Sequence, residues 1–432
     1  MHIAIVTAGG AGMFCGSCMH DNTLARALLA RGERVTLIPT YTPIRVDEKN
    51  VSQERVLLGG INLYLDTQVP GWGRLPRLLK GWLDSPAIIR LATRFSVSAD
   101  ARKLGKMTVA MLQGDHGPQQ TEVEDFANYI ANELKPDVVL YSNALLVGTL
   151  RRLKEKFAGP VVCLLQGDDI FLQDLIEPWK SRAFAILYRE CEQFDAVLTH
   201  SGYYRDFMAD YLRIPVEKMH VVPLGIDLAG HDGEPRAEAS SPFTIGYFAR
   251  ICPEKGLHNL VAAFRILRSQ RPDLPLRLHA GGYLGVRDQK WFESLQKDAS
   301  DLGESFQYIG SPASHQEKVA FFKSVDLFSV PTDYHEPKGL YVLEALANGV
   351  PVVQPLHGGF PELIEATGGG LLVKPQDPEH LAAVLGQLID DSRLRRKLAT
   401  NGRRAVHERF NPQVMAENTL KVLEGLVPRF AD

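Results

Sequence analysis

Short apolar runs recur along the chain, each leading through a loop into a segment whose apolar positions have helical spacing. A first series falls at residues 3–7, 35–39, 138–141, 161–165, 196–199 and 221–223, and a second at 243–248, 276–280, 306–309, 327–330 and 352–354. Most of these runs, unlike 276–280 and 306–309, are nearly continuous in apolar residues rather than alternating with polar ones, which predicts strands buried on both faces, as in parallel sheets. Helical spacing over 21–31, 259–268, 316–324 and 340–346 supplies crossovers, so the pattern predicts an α/β protein of two doubly wound sheets. Residues 229–241, between the two series, are rich in Gly, Glu, Asp, Ala and Ser, with little to bury, and read as a linker. The expected organisation is a first domain over 1–228, a linker over 229–241 and a second domain over 242–410. Helices are expected over 378–409 and 413–426, with 411–432 packing back on the first domain.

Composition changes this picture little. A length of 432 residues exceeds what one core usually covers. A formal charge of -3 and a pI near 6.5 give no global reason to expect nucleic acid as a partner. No apolar run is long enough to span a bilayer, and residues 1–7 lack a cationic start, so they read as a first strand and the cytoplasm is the default location. Cys163, Cys191 and Cys252 read as small core residues. Cys15 and Cys18 have C-x-x-C spacing, but no second pair completes a four-thiolate zinc site, so a structural role is the more economical one. The stretch 69–107 carries Arg74, Arg77, Lys80, Arg90, Arg94, Arg102, Lys103 and Lys106 against Asp84 and Asp100, with Trp72 and Trp82 interleaved. It reads as a helical insertion with a solvated basic face, or as a contact with a phosphorylated acceptor or with the inner face of an anionic membrane. The cluster Arg393, Arg395, Arg396, Lys397, Arg403 and Arg404 is expected to be a solvated helix face.

Candidate chemistry concentrates in the second series. Glu336 precedes a short apolar helix and Glu344 lies within it; Pro337 biases Glu336 toward extended backbone, and Gly349 and Pro351 stop the helix before the next strand. The unpaired N–H groups near Gly339 and Leu340 suit a diphosphate, whereas carboxylates accept from vicinal diols, so this junction fits a ligand that carries both. Arg250 leaves a strand end and Lys255 follows in the next loop, two cations able to neutralise a diphosphate. The loop at Gly9, Gly10, Gly12 and Gly16 does not have the G-x-G-x-x-G spacing of a dinucleotide fingerprint, so a nicotinamide oxidoreductase is disfavoured.

Residues 246–256 and 336–344 resemble the donor-binding motifs of retaining family-4 glycosyltransferases with the GT-B fold. Residues 280–282, 310–311, 326–331 and 357–364 are similar to that family's other landmarks in order and spacing. The resemblance implies two Rossmann-like domains facing across a cleft and transfer of a hexose from a UDP-, GDP- or ADP-sugar to a carbohydrate, lipid-linked or small-molecule acceptor, with no separate cofactor; no acidic D-x-D cluster is apparent at the donor site, so no metal is expected. By resemblance Glu336 contacts the donor sugar, Glu344 the ribose hydroxyls, and Arg250 and Lys255 the diphosphate with Gly339 and Leu340; the base lies near Ile309, Gly310 and Ser311. Lys338 stands where the family commonly has Phe, and adds a phosphate contact or points to solvent. Members often carry a His after the strand at 161–165, where this chain has Gln166, Gly167, Asp168 and Asp169; Gln166 or Asp168 could orient the sugar or acceptor there, or form a capped turn. In the family the glycine loop lies near the leaving phosphate and acceptor, which implicates Gly10, Gly12, Gly16, His20 and Asp21, with Asp21 also readable as a helix cap. Residues 59–64 are a candidate for lining the acceptor side. A sugar-nucleotide epimerase or a non-catalytic nucleotide-sugar binder could use the same pocket.

Overall fold

The computed structural model describes residues 1–9, 15–54, 56–58 and 101–427. The chain forms two compact units, Met1–Gly225 together with the segment from Pro412 onward, and Ile226–Asn411. The first unit holds strands β1 (His2–Thr7), β2 (Arg34–Pro39), β3 (Val138–Tyr141), β4 (Val161–Leu164), β5 (Ala196–Thr199) and β6 (Met219–Val221). They form one parallel sheet in the order β2-β1-β3-β4-β5-β6. The second holds β7 (Phe243–Phe248), β8 (Leu276–Gly281), β9 (Phe306–Tyr308), β10 (Leu327–Phe328), β11 (Val352–Pro355) and β12 (Gly370–Val373), in the parallel order β12-β11-β10-β7-β8-β9. Every residue of β1, β3, β4, β5 and β11 is buried, the two-sided burial that their unbroken apolar runs predict.

Strand order also says where ligands can reach. In a doubly wound sheet the crevice opens at the carboxyl ends where the order reverses, which is between β1 and β3 in the first unit and between β7 and β10 in the second. Arg250 follows β7, and the loop carrying Glu336 follows β10. Gly246 makes room for the segment leading into β10, because a Cβ there would meet the Val325 side chain at 2.8 Å.

Three local differences from expectation have physical causes. The first helix runs over Gly16–Ala30, beginning upstream of residue 21, because the polar residues of its early turns are buried in a hydrogen-bonded network rather than following apolar periodicity. Thr23 Oγ1 donates to Glu48, Asn22 Nδ2 donates to the Lys49 carbonyl at 3.1 Å, and Asp21 accepts from Gln166 at 2.8 Å. The helical stretch at 378–409 is two helices, Pro378–Asp390 and Ser392–Arg409, divided at Asp391, which accepts from Leu394 N at 2.8 Å as an N-cap. The segment read as a linker is strapped to the second unit. Arg236 donates to Asp326 at 2.6 Å, Ser240 N donates to the same carboxylate at 3.0 Å, and Arg403 Nε donates to the Gly233 carbonyl at 2.7 Å.

Arg403 also pairs with Glu234 at 2.7 Å, and Arg395 donates to the Leu388 and Ile389 carbonyls and lies 5.3 Å from the Phe243 ring centre. Part of the expected solvated basic face is therefore used in packing. The helix Pro412–Leu426 packs on Gly16–Ala30 in the first unit, with Met415, Ala416, Leu420 and Leu423 in the same apolar cluster as Ile3, Ile5, Leu24 and Leu28. No described helix is long and apolar enough to cross a membrane.

Candidate functional site

Glu336 is the centre of the second unit's strand-end site, and it is 4% exposed. Its Oε2 accepts from Lys255 Nζ at 2.6 Å, Tyr334 Oη at 2.7 Å and Tyr341 Oη at 2.8 Å, while Oε1 accepts from the Lys338 amide at 3.3 Å. Lys255 Nζ also donates to Tyr334 Oη and lies about 5 Å from both tyrosine ring centres, 4.9 and 5.0 Å. Burial by itself pushes a carboxyl up, but the Lys255 charge and the three side-chain donors outweigh it and hold Glu336 down to about 2. The same burial, with the Glu336 charge, raises both tyrosine hydroxyls well above their usual value, so they stay protonated and donating. The acid is thus a fixed anion with its acceptor direction set before any ligand arrives.

The backbone around it is equally constrained. Asp333 N donates to the Glu254 carbonyl at 3.0 Å, tying the loop after β10 to the loop after β7. Gly359 N donates to the Glu336 carbonyl at 2.8 Å, and Gly358, with φ of +62°, sits where a Cβ would lie 2.7 Å from both Glu336 N and O. Gly358→Ala is therefore expected to lower stability by about 1–3 kcal/mol through left-handed strain and contact. It should displace Glu336 as well, which thermal unfolding together with nucleotide affinity would register.

Gly339, with φ of +72°, is the N-cap of the helix Leu340–Ala347, so the N–H groups at Gly339 and Leu340 precede any intrahelical partner. Arg250 is exposed, and its Nε donates to Cys252 Sγ at 3.3 Å, which orients the guanidinium. No carboxylate among the described residues lies within ion-pair distance of Arg250. Glu344 is nearly buried and pairs with Lys318 at 2.7 Å. Gly310 lies just past β9 with φ of +82°, its carbonyl accepting from Gly282 N at 2.9 Å, beside Ile309 at 47% exposure and an exposed Ser311. Arg250, Lys255, Glu336, Lys338, Gly339, Leu340, Glu344, Gly310 and Ser311 thus all fall in the second unit, in or beside loops that follow β7, β9 and β10.

The first unit brings together a different set. Gln166 Nε2 donates to Asp21 at 2.8 Å and to the Ser142 carbonyl at 3.3 Å, at the ends of β4 and β3. Asp21 lies inside its helix rather than capping it. His20 is buried against His200 with ring centres 4.6 Å apart. Of the two roles expected for Asp168, orienting a ligand or forming a turn, the turn is the one its contacts show. Its Oδ1 accepts from Ala144 N at 2.6 Å and its Oδ2 from Gln166 N at 2.9 Å, and burial pushes the carboxyl up to about 6. Each oxygen accepts from an amide of the turn, so Asp168 holds Gln166 in place. Cys15 is the N-cap of the first helix, and Cys18 is buried in its first turn. Gly10, Gly12, residues 59–64 and the basic residues of 69–100 lie outside the described residues.

Sequence reasoning missed Tyr334, Tyr341 and Lys318. Lys318 carried a readable signal, a cation beside Val319, Phe321 and Phe322 on the buried face of its helix. The tyrosines carried none, since nothing local separates a hydroxyl aimed at Glu336 from an aromatic in the core.

Comparison with known proteins shows what this chain is similar to. The family description "Glycosyl transferases group 1" matches residues 233–405, and "Glycosyltransferase Family 4" matches residues 121–229. The chain is 33% identical over 246 residues to MMP alpha-(1->4)-mannosyltransferase of Mycolicibacterium hassiacum, covering 56% of this chain and 57% of that one. It is 26% identical over 293 residues to glycogen synthase of Mycobacterium tuberculosis, covering 67% and 68%. The chain spans a little over half the length of the mannosyltransferase and about two thirds of the synthase. Among solved structures, sucrose-phosphate synthase from Thermosynechococcus elongatus superposes with a TM-score of 0.70 at 20% identity, over 98% of each chain, a likeness of fold.

Proposed function

For a chain that belongs to the glycosyltransferases of group 1 and family 4, with the two Rossmann-like domains of the GT-B fold, we propose transfer of a hexose from a nucleoside diphosphate sugar to an acceptor hydroxyl, with retention at the anomeric carbon. The observation that carries this reading is Glu336, a buried acid kept ionised by Lys255 and two tyrosines beside the start of the helix Leu340–Ala347. A fixed anion accepts hydrogen bonds from sugar hydroxyls, and a helix start donates its unpaired N–H groups to phosphate oxygens. Few ligands present both at this spacing, and a nucleotide sugar is one.

In the proposed reaction the bond from the anomeric carbon to the β-phosphate oxygen breaks and the nucleoside diphosphate leaves. Arg250 and the N–H groups at Gly339 and Leu340 would stabilise the charge developing on it, most strongly in the transition state. The acceptor oxygen bonds to the anomeric carbon from the same face, and its proton passes to the departing phosphate oxygen. Lys255, assigned to the diphosphate from the sequence, is placed first of all on Glu336 and would act on both groups.

The test is a panel of UDP-, GDP- and ADP-sugars followed by thermal shift and by release of the nucleoside diphosphate. A matched donor at one hundred times its dissociation constant is expected to stabilise by about 2.7 kcal/mol. Binding without release on incubation with mixed glycan and lipid-linked acceptors would favour the non-catalytic reading, and no shift with any donor would remove the proposal.

A further inference from the structure

Lys318 lies in the helix His315–Ser324, which begins four residues after Ser311. It is 6% exposed, on the helix face that also buries Val319, Phe321 and Phe322. A buried ammonium costs several kcal/mol in lost hydration unless it is paired, and an apolar residue would fill this position more cheaply. It pairs with Glu344 on the neighbouring helix, Nζ to Oε1 at 2.7 Å, with Glu344 itself 8% exposed. No other side-chain partner of Glu344 occurs among the described residues, so Oε2 keeps its accepting capacity. The helix is fixed from behind, since Asn348 Nδ2 donates to the Glu344 carbonyl at 2.9 Å and contacts His231 Nδ1 at 2.7 Å.

From this arrangement we infer that Lys318 is a positioning and specificity residue: it locks one oxygen of Glu344 and presents the other as a single directed acceptor, which makes the site selective for ribose over 2′-deoxyribose in the bound nucleotide. The inference rests on the proposed donor role of Glu344. A carboxylate free to rotate would accept from whichever hydroxyl approached. One clamped by an ammonium accepts from a fixed direction, and a ligand lacking the hydroxyl leaves that anion unsatisfied.

The experiment measures dissociation constants of the full chain for whichever of UDP, GDP and ADP binds, and for its 2′-deoxy counterpart, in the wild type, Lys318→Gln, Lys318→Met and Glu344→Gln. The wild type is expected to prefer the ribonucleotide by about 10-fold to 100-fold, the scale of one charged hydrogen bond. Lys318→Gln and Lys318→Met are expected to lose most of that preference through weaker ribonucleotide binding, with the deoxy form little changed. In turnover this would read as a raised donor KM at nearly constant kcat. A merely structural ion pair would weaken both nucleotides alike, and that result overturns the inference. So does an unchanged preference in the Lys318 variants while Glu344→Gln abolishes it, or failure of both Lys318 variants to fold. If Glu344→Gln itself binds both nucleotides as the wild type does, the failure belongs to the donor role of Glu344.

Discussion

Arg250→Ala is expected to slow release of the nucleoside diphosphate from a matched donor by roughly 100-fold to 1000-fold, the scale for removing one preorganised electrostatic group. The expectation follows from where the side chain is held. Arg250 leaves β7 at the strand-order reversal, its Nε is anchored on Cys252 Sγ at 3.3 Å, and its remaining donors face no carboxylate among the described residues. A guanidinium oriented by a neutral thiol keeps its full charge for an incoming anion. Arg250→Lys should recover only part of the loss, because a compact ammonium replaces a planar two-pronged donor. The effect should fall on kcat and on kcat/KM together, and turnover unchanged in Arg250→Ala would remove the residue from the reaction.

Lys255→Met is expected to cost about 3–5 kcal/mol of stability, since it leaves Glu336 as a buried charge without its cation. The pH dependence gives a sharper signature. In the native protein Glu336 is held near 2 against an ordinary 4.5, so its contribution to stability is present above 4.5 and is lost as pH falls toward 2. Without Lys255, burial is no longer outweighed by an opposite charge, and the carboxyl should titrate above its ordinary value. The variant should then lose stability as pH rises, the opposite sense. Chemical denaturation at mildly acidic and mildly basic pH distinguishes the two. Adding Glu336→Gln to Lys255→Met should restore much of the stability while turnover stays low, which separates the structural from the chemical share of the pair.

The architecture was legible because buried parallel strands write themselves as unbroken apolar runs, and each run named above corresponds to a strand within a few residues. Glu336, Glu344, Arg250 and Lys255 were legible for a related reason, since charged residues directly after such runs must sit at strand ends. What could not be read was which partner each charge would take. Lys255 lies 81 positions from Glu336 in sequence and 2.6 Å from it in space. Asp168 read equally well as a ligand contact or a turn residue, and what decides is that its two oxygens accept from the amides of Ala144 and Gln166, contacts with no sequence signature. Residues 229–241 misled by composition. Three of their four charged side chains, Asp232, Glu234 and Arg236, find a partner in the second unit, so low apolar content did not mean a loose tether.

The return of Pro412–Leu426 to the first unit has a consequence for synthesis on the ribosome. The second unit is one continuous stretch, Ile226–Asn411, and every side chain its core needs has been made by the time that stretch emerges. The first unit begins earlier but lacks Met415, Ala416, Leu420 and Leu423 until the final helix appears, leaving the apolar flank of Gly16–Ala30 uncovered meanwhile. Domains commonly complete themselves in the order they are translated. Here the part translated first is the part finished last, which makes the N-terminal half the natural client of a holding chaperone, and makes loss of the last helix a defect of the beginning of the chain.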